Sequence, residues 1–147
     1  MQCGEFCRFF ANIHIHYLQK DGNKNISTAF DKPAPDTLKA ELTYKILGKL
    51  NDHFLWEINP ITGRPHQIRV QLASIGCPIR GDIKYGFSKP NPDKSINLHS
   101  RELRFEHPIK KEEVYIQGGL PEDDFWEQFL VLDRTKKKDI DLLLNNK

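Results

Sequence analysis

An α+β domain, with a mixed, largely antiparallel sheet and few short helices, is the fold class this sequence predicts. Apolar and polar residues alternate through most of its first half. Glycine and proline fall mostly between the periodic runs, where turns belong. Helical spacing is confined to one short segment after residue 64 and another near residue 125.

Each element follows in chain order. "NIHIHYLQ" (12–19) and "NISTAF" (25–30) read as two strands around the turn "KDGNK". "KPAPD" (32–36) is a connection, because proline donates nothing to a ladder. In "AELTYKI" (40–46), Ala40, Leu42, Tyr44 and Ile46 share one face against Glu41, Thr43 and Lys45. "GKLND" (48–52) is a turn, and "HFLWEI" (53–58) returns as the second arm of a hairpin with Phe54, Trp56 and Ile58 inward. Pro65 suits a first helical position, Ile68, Leu72 and Ile75 recur at helical spacing, and Gly76 ends a helix of about three turns. Leu103 and Phe105 alternate with Arg104 in a strand, and "EVYIQG" (113–118) is another. "EDDFWEQFL" (122–130) is a helix with acids in its first turn, as the helix dipole favours. The lysine- and asparagine-rich end, 131–147, is expected to fray.

A chain of 147 residues with 38% hydrophobic and 29% charged side chains can bury a core, which argues against disorder. A net charge of +2 does not by itself imply a polyanionic partner; only local clustering of cations could. The apolar runs are too short to span a bilayer, and "MQCGEFCRFF" lacks the apolar stretch of a signal peptide. Three cysteines without an export signal point to a reduced, cytoplasmic setting.

The chemistry concentrates in "TGRPHQIRVQL" (62–72). A strand-to-helix junction with Thr62, Gly63 and Arg64 offers backbone N–H groups and a guanidinium, features that suit a phosphate or another oxyanion. Helical spacing carries Arg69 toward the same cleft. Ordinary surface ion pairs would explain both arginines as well. Arg80, Lys84, Lys89 and Lys94 gather in one loop region, which fits phosphate contacts or simple solvation.

Three ordered motifs narrow the choice. Thr62 to Arg69, Gly76 to Gly86, and Leu98 to Pro108 together resemble the C-terminal part of the catalytic domain of RluA-type pseudouridine synthases. The similarity runs from about Ile13 to Phe129, so the chain divides into an atypical N-terminal segment (1–12), a partial catalytic domain (13–130) and a polar tail (131–147). The resemblance implies isomerisation of uridine to pseudouridine in ribosomal or transfer RNA, without metal or cofactor, on a nucleotide flipped out of its stack. It also implies that Arg69 pairs with an essential aspartate. RNA contacts would fall to Arg64, His66, Gln67, Arg80, Lys84 and Tyr85.

The aspartate motif of that family, Arg-Leu-Asp-Arg-x-Thr-Ser-Gly, has no counterpart before Ile13, and "LDRT" (132–135) resembles it only superficially. The isolated chain is therefore expected to lack its nucleophile and to be inactive. Alternatives are a non-catalytic RNA-binding or complementing module, completed by a missing N-terminal half of the same domain, or a truncated product. Arg69 should then be exposed, borrow another carboxylate, or sit in a loosened junction, and Arg69→Met should be neutral or stabilising. Asp82 reads as a loop cap. Cys3, Cys7, His14 and His16 have an unusual spacing for zinc, which favours solvent-facing histidines and no metal. Cys77 reads as a packed thiol, and His99 and His107 as hydrogen-bonding strand residues.

Overall fold

The computed structural model describes residues 12–129; the atypical N-terminal segment, except Asn12, and the polar tail with "LDRT" lie outside them. The chain forms two compact units that divide between Asn97 and Leu98, where one portion over 13–130 was expected. Every strand pairing among the described residues is antiparallel.

The first unit is built on four strands: β1 (Asn12–Asp21), β2 (Ile26–Phe30), β3 (Leu38–Leu50) and β4 (His53–Pro60). Their order across the sheet is β2-β1-β3-β4. The turn between β1 and β2 is held by Asp21, whose Oδ1 accepts the N–H groups of Asn23 and Lys24 at 2.9 and 3.1 Å. The predicted alternation in β3 holds: Ala40, Leu42, Tyr44 and Ile46 are all buried. In β4, Phe54, Trp56 and Ile58 are half-buried, as suits an edge strand. Trp56 packs on Tyr44 with ring centroids 4.6 Å apart.

The hairpin turn is shorter than the sequence suggested. Leu47 is an extra residue: Ile46 faces Trp56 and Gly48 already faces Leu55. This bulge lets β3 continue to Leu50, and Asn51 and Asp52 alone make the turn, with Asn51 at φ 52°.

Helix α1 (Gln67–Ser74) follows β4. It is shorter than expected and begins later, since Pro65 lies in a turn and His66 takes the N-cap position in the left-handed region, at φ 55°. Gly76, at φ 78°, ends it as predicted, with its N–H on Ala73 O and that of Cys77 on Leu72 O. The buried face is Gln67, Val70, Gln71 and Leu72, so two amides stand where an apolar stripe was expected. Val70 packs into the core with Leu18 and Ala40, flanked by Ala29 and Tyr85. A single 3-10 turn, Ile83–Tyr85, closes the following loop.

The second unit holds the hairpin of β5 (Glu102–Glu106) and β6 (Glu113–Gln117) and a helical stretch at 124–129. In its loop, His107 Nδ1 accepts the N–H groups of Ile109 and Lys110, a hydrogen-bonding role as expected. His99 packs edge-on against Trp126, with ring centroids 6.4 Å apart.

Candidate functional site

The junction after β4 is clamped onto β3 by hydrogen bonds. Thr62 Oγ1 accepts the N–H of Glu41 at 2.8 Å and donates to Gln67 Oε1 at 2.8 Å. Gln67 Oε1 also accepts the N–H of Arg64 at 2.9 Å, and Nε2 donates to Glu41 O at 3.0 Å. The amide of a residue only 4% exposed is thus spent on fixing the turn against β3. The glutamine between the two arginines thereby satisfies backbone groups that the turn would otherwise bury unpaired.

With the turn fixed, α1 carries Arg69 onto a loop carboxylate. Arg69 Nε donates to Asp82 Oδ2 at 2.7 Å and Nη2 to Oδ1 at 2.8 Å, a two-point pair. Asp82 is 2% exposed. The guanidinium also lies over the Tyr85 ring, its central carbon 4.9 Å from the centroid. Hydrogen bonding to Asp82 holds the Arg69 pKa above its ordinary value.

Two expectations are corrected here. Asp82 makes no side-chain cap to the 3-10 turn; its carboxylate is spent on Arg69. Arg69 is not a charge without a partner, so its removal strands a buried carboxylate and costs stability instead of leaving it unchanged. Among the described residues, Nη1 of Arg69 makes no hydrogen bond.

Tyr85 ties the pair to β2. Its hydroxyl accepts the N–H of Ser27 at 2.9 Å and lies 2.7 Å from His66 Nδ1, while Ser27 Oγ donates to Pro65 O at 2.8 Å. Burial, followed by the charges of Arg69 and Lys84, lowers the His66 pKa and keeps the ring neutral at pH 7. Gly81, at φ 84°, precedes Asp82 in a place no side chain fits: a Cβ would lie 2.6 Å from Ser95 O.

The remaining predicted contacts are spread around this core. Arg64 Nε donates to Lys39 O at 3.1 Å, Lys84 Nζ to Asn25 O at 3.1 Å, and Arg80 Nη1 to Asn97 Oδ1 at 3.1 Å. The structure brings Arg69, His66 and Tyr85 together, puts Gln67 beneath the turn, and leaves Arg64, Lys84 and Arg80 at separate points of the first unit. Asp82 was missed because nothing local distinguishes a pairing aspartate from a capping one.

On the back of α1 lies a second polar cluster. His16 is 6% exposed, and its Nδ1 is 3.3 Å from Gln71 Nε2. His14 packs on it edge-to-face at 4.9 Å. The histidines read as solvent-facing are half-buried and buried. No three His, Cys, Asp or Glu side chains gather for a metal among the described residues. Cys77 is disulfide-bonded, not a packed free thiol.

The clamped turn thus presents an arginine-carboxylate pair over a tyrosine ring. Comparison with known proteins gives this arrangement its family. The family model described as RNA pseudouridylate synthase matches residues 9–74. The uncharacterized RNA pseudouridine synthase YlyB of Bacillus subtilis is 40% identical over 123 residues, covering 79% of this chain and 41% of that protein. The tRNA pseudouridine synthase C of Vibrio cholerae is 30% identical over 138 residues, covering 82% and 55%. The solved structure of human RNA pseudouridylate synthase domain containing 1 has a TM-score of 0.60 at 21% identity, over 80% of this chain and 51% of that one. The chain belongs to the RNA pseudouridylate synthase family, and its fold is that of such domains. It spans about half, or less, of the length of these relatives.

Proposed function

We propose that this chain supplies the arginine-bearing, RNA-facing part of a site that isomerises uridine to pseudouridine in RNA. One observation carries the reading: within the family motif, Arg69 is held from one side by Asp82 and Tyr85 and keeps Nη1 for a second anion. That second anion is the carboxylate that attacks the nucleotide. A carboxylate in a partly dry cleft stays ionised only beside such a charge. The reaction adds and removes no atoms overall: the C1′–N1 bond breaks, the base turns, C1′ joins C5, C5 gives up its proton and N1 takes one up.

Asp82 cannot take the attacking role while both its oxygens are engaged by Arg69 and it is sealed from solvent. These 147 residues, by themselves, are accordingly inactive, and a segment carrying the attacking aspartate completes them. Arg64 and Lys84 supply cations for the RNA backbone, with His66 beside Tyr85 as a further donor or acceptor.

The test is to incubate the chain with RNA transcribed without pseudouridine and assay the modified base by mass spectrometry. No product is expected from the chain alone. Turnover that disappears in Asp82→Asn would make Asp82 the nucleophile and overturn the assignment.

A further inference from the structure

Two residues before Asp82, the same loop opens a separate cavity of about 350 Å³, at the lower end of the size range of ligand sites. Phe87 and Pro90 form an apolar wall, facing His53 from the start of β4. The Phe87 and His53 rings stand 6.3 Å apart and tilted by 44°, so a flat group can lie along one of them. Arg80 and Lys89 bring positive charge to the lining, and no carboxylate of the described residues takes part in it.

The walls are pre-formed. Asn91, 7% exposed, donates from Nδ2 to Asn97 Oδ1 at 2.8 Å, and the same Oδ1 accepts from Arg80 Nη1. Asn97 N–H closes on Arg80 O at 2.9 Å, and Phe87 N–H on Asp82 O at 3.0 Å. The left-handed Gly81 packs directly on Asn91 and Ser95. One short turn thereby sends Asp82 to the arginine pair and Arg80 to the cavity.

We infer that this cavity is a second RNA subsite, holding one unpaired nucleotide beside the target. Its base lies on Phe87 and Pro90, and its phosphate meets Arg80 and Lys89. An aromatic face with adjacent cations is the chemistry that single-stranded nucleic acid selects. The inference rests on the reading of this chain as RNA-binding.

Fluorescence anisotropy with the full chain and a labelled single-stranded oligouridylate tests it. Phe87→Leu keeps apolar bulk and removes the stacking face; affinity should fall about ten-fold. Lys89→Gln, an exposed change that cannot unfold the chain, should reduce the salt slope of log affinity by about 0.7. Wild-type affinity and slope in both variants, with Arg64→Ala still weakening binding, would overturn the cavity while leaving the RNA reading intact. If the wild-type chain binds no RNA, both readings fail. Uridine 5′-monophosphate binding as tightly as the oligonucleotide would make this a free-nucleotide site, which also contradicts the proposal.

Discussion

The two units use the same alternating pattern with opposite results. Along β3, every second residue from Ala40 leaves solvent, with Ala40 and Leu42 at 0% exposure. Along β5, Leu103 and Phe105 alternate just as regularly, yet are 53% and 40% exposed, and Ile116 opposite Leu103 is 52% exposed. The difference lies in what covers the face. Helix α1 packs on β1 and β2 and closes the first sheet, whereas β5 and β6 form a two-stranded ribbon. Alternation tells which side chains share a face; a second layer decides whether that face is a core.

The comparison makes energetic predictions, which the two tryptophans can read separately, Trp56 in the first unit and Trp126 in the second. The largest effect should come from Arg69→Met, which leaves Asp82 buried and unpaired. Urea unfolding followed by Trp56, in a Trp126→Phe background, should show a loss of about 3–5 kcal/mol. An unchanged transition would mean that the first unit does not depend on its buried pair.

Acid should act next, again on the first unit. Burial pulls the pKa of both His14 and His16 below the ordinary 6.5; the neighbouring His16 charge adds to it for His14, and Asp31 opposes it for both. The folded state therefore binds fewer protons than the unfolded one below that value. The resulting stability is fully present above about pH 6.5 and is lost as pH falls through the lowered folded values. Urea midpoints read by Trp56 should drop between pH 7 and pH 5, and a double His14→Gln, His16→Gln variant should flatten the drop. A drop of the same size in that variant would remove the histidines from the account.

The smallest effect belongs to the ribbon. Leu103→Ser should change the stability read by Trp126 by less than about 0.5 kcal/mol, the range for a surface change. A larger loss would show that this apolar face is covered after all.

How much of this was legible follows the same division. Strands β1 to β6 were readable because period-two patterning is local, and Gly76 stopped α1 where a left-handed cap was needed. The helix start was not readable: Pro65 suits a first helical turn, but His66 takes a left-handed conformation, and the helix begins one residue later. Gln67 and Gln71 were hidden in the same way, since the groups that meet a buried amide are set by the folded turn and sheet and not by helical spacing. For Gln67 these are Thr62, Arg64 and Glu41, and for Gln71 weaker contacts with His14 O, His16 and Ala40 O at 3.3–3.5 Å. The family motifs exposed Arg69 as important. Its partner thirteen residues away was beyond any local pattern, because the loop that delivers Asp82 is shaped by the Gly81 approach to Ser95 and Asn91.

The central claim is that Arg69 is already paired inside this chain, with Asp82, before any further carboxylate arrives. A double-mutant cycle with Arg69→Met and Asp82→Asn, read as urea stability through Trp56, addresses it most directly. A real pair predicts that the double variant is more stable than the sum of the single losses allows, with a coupling of about 2 kcal/mol or more. Losses that add to within about 0.5 kcal/mol would show two independent residues and contradict the pair on which the site is built.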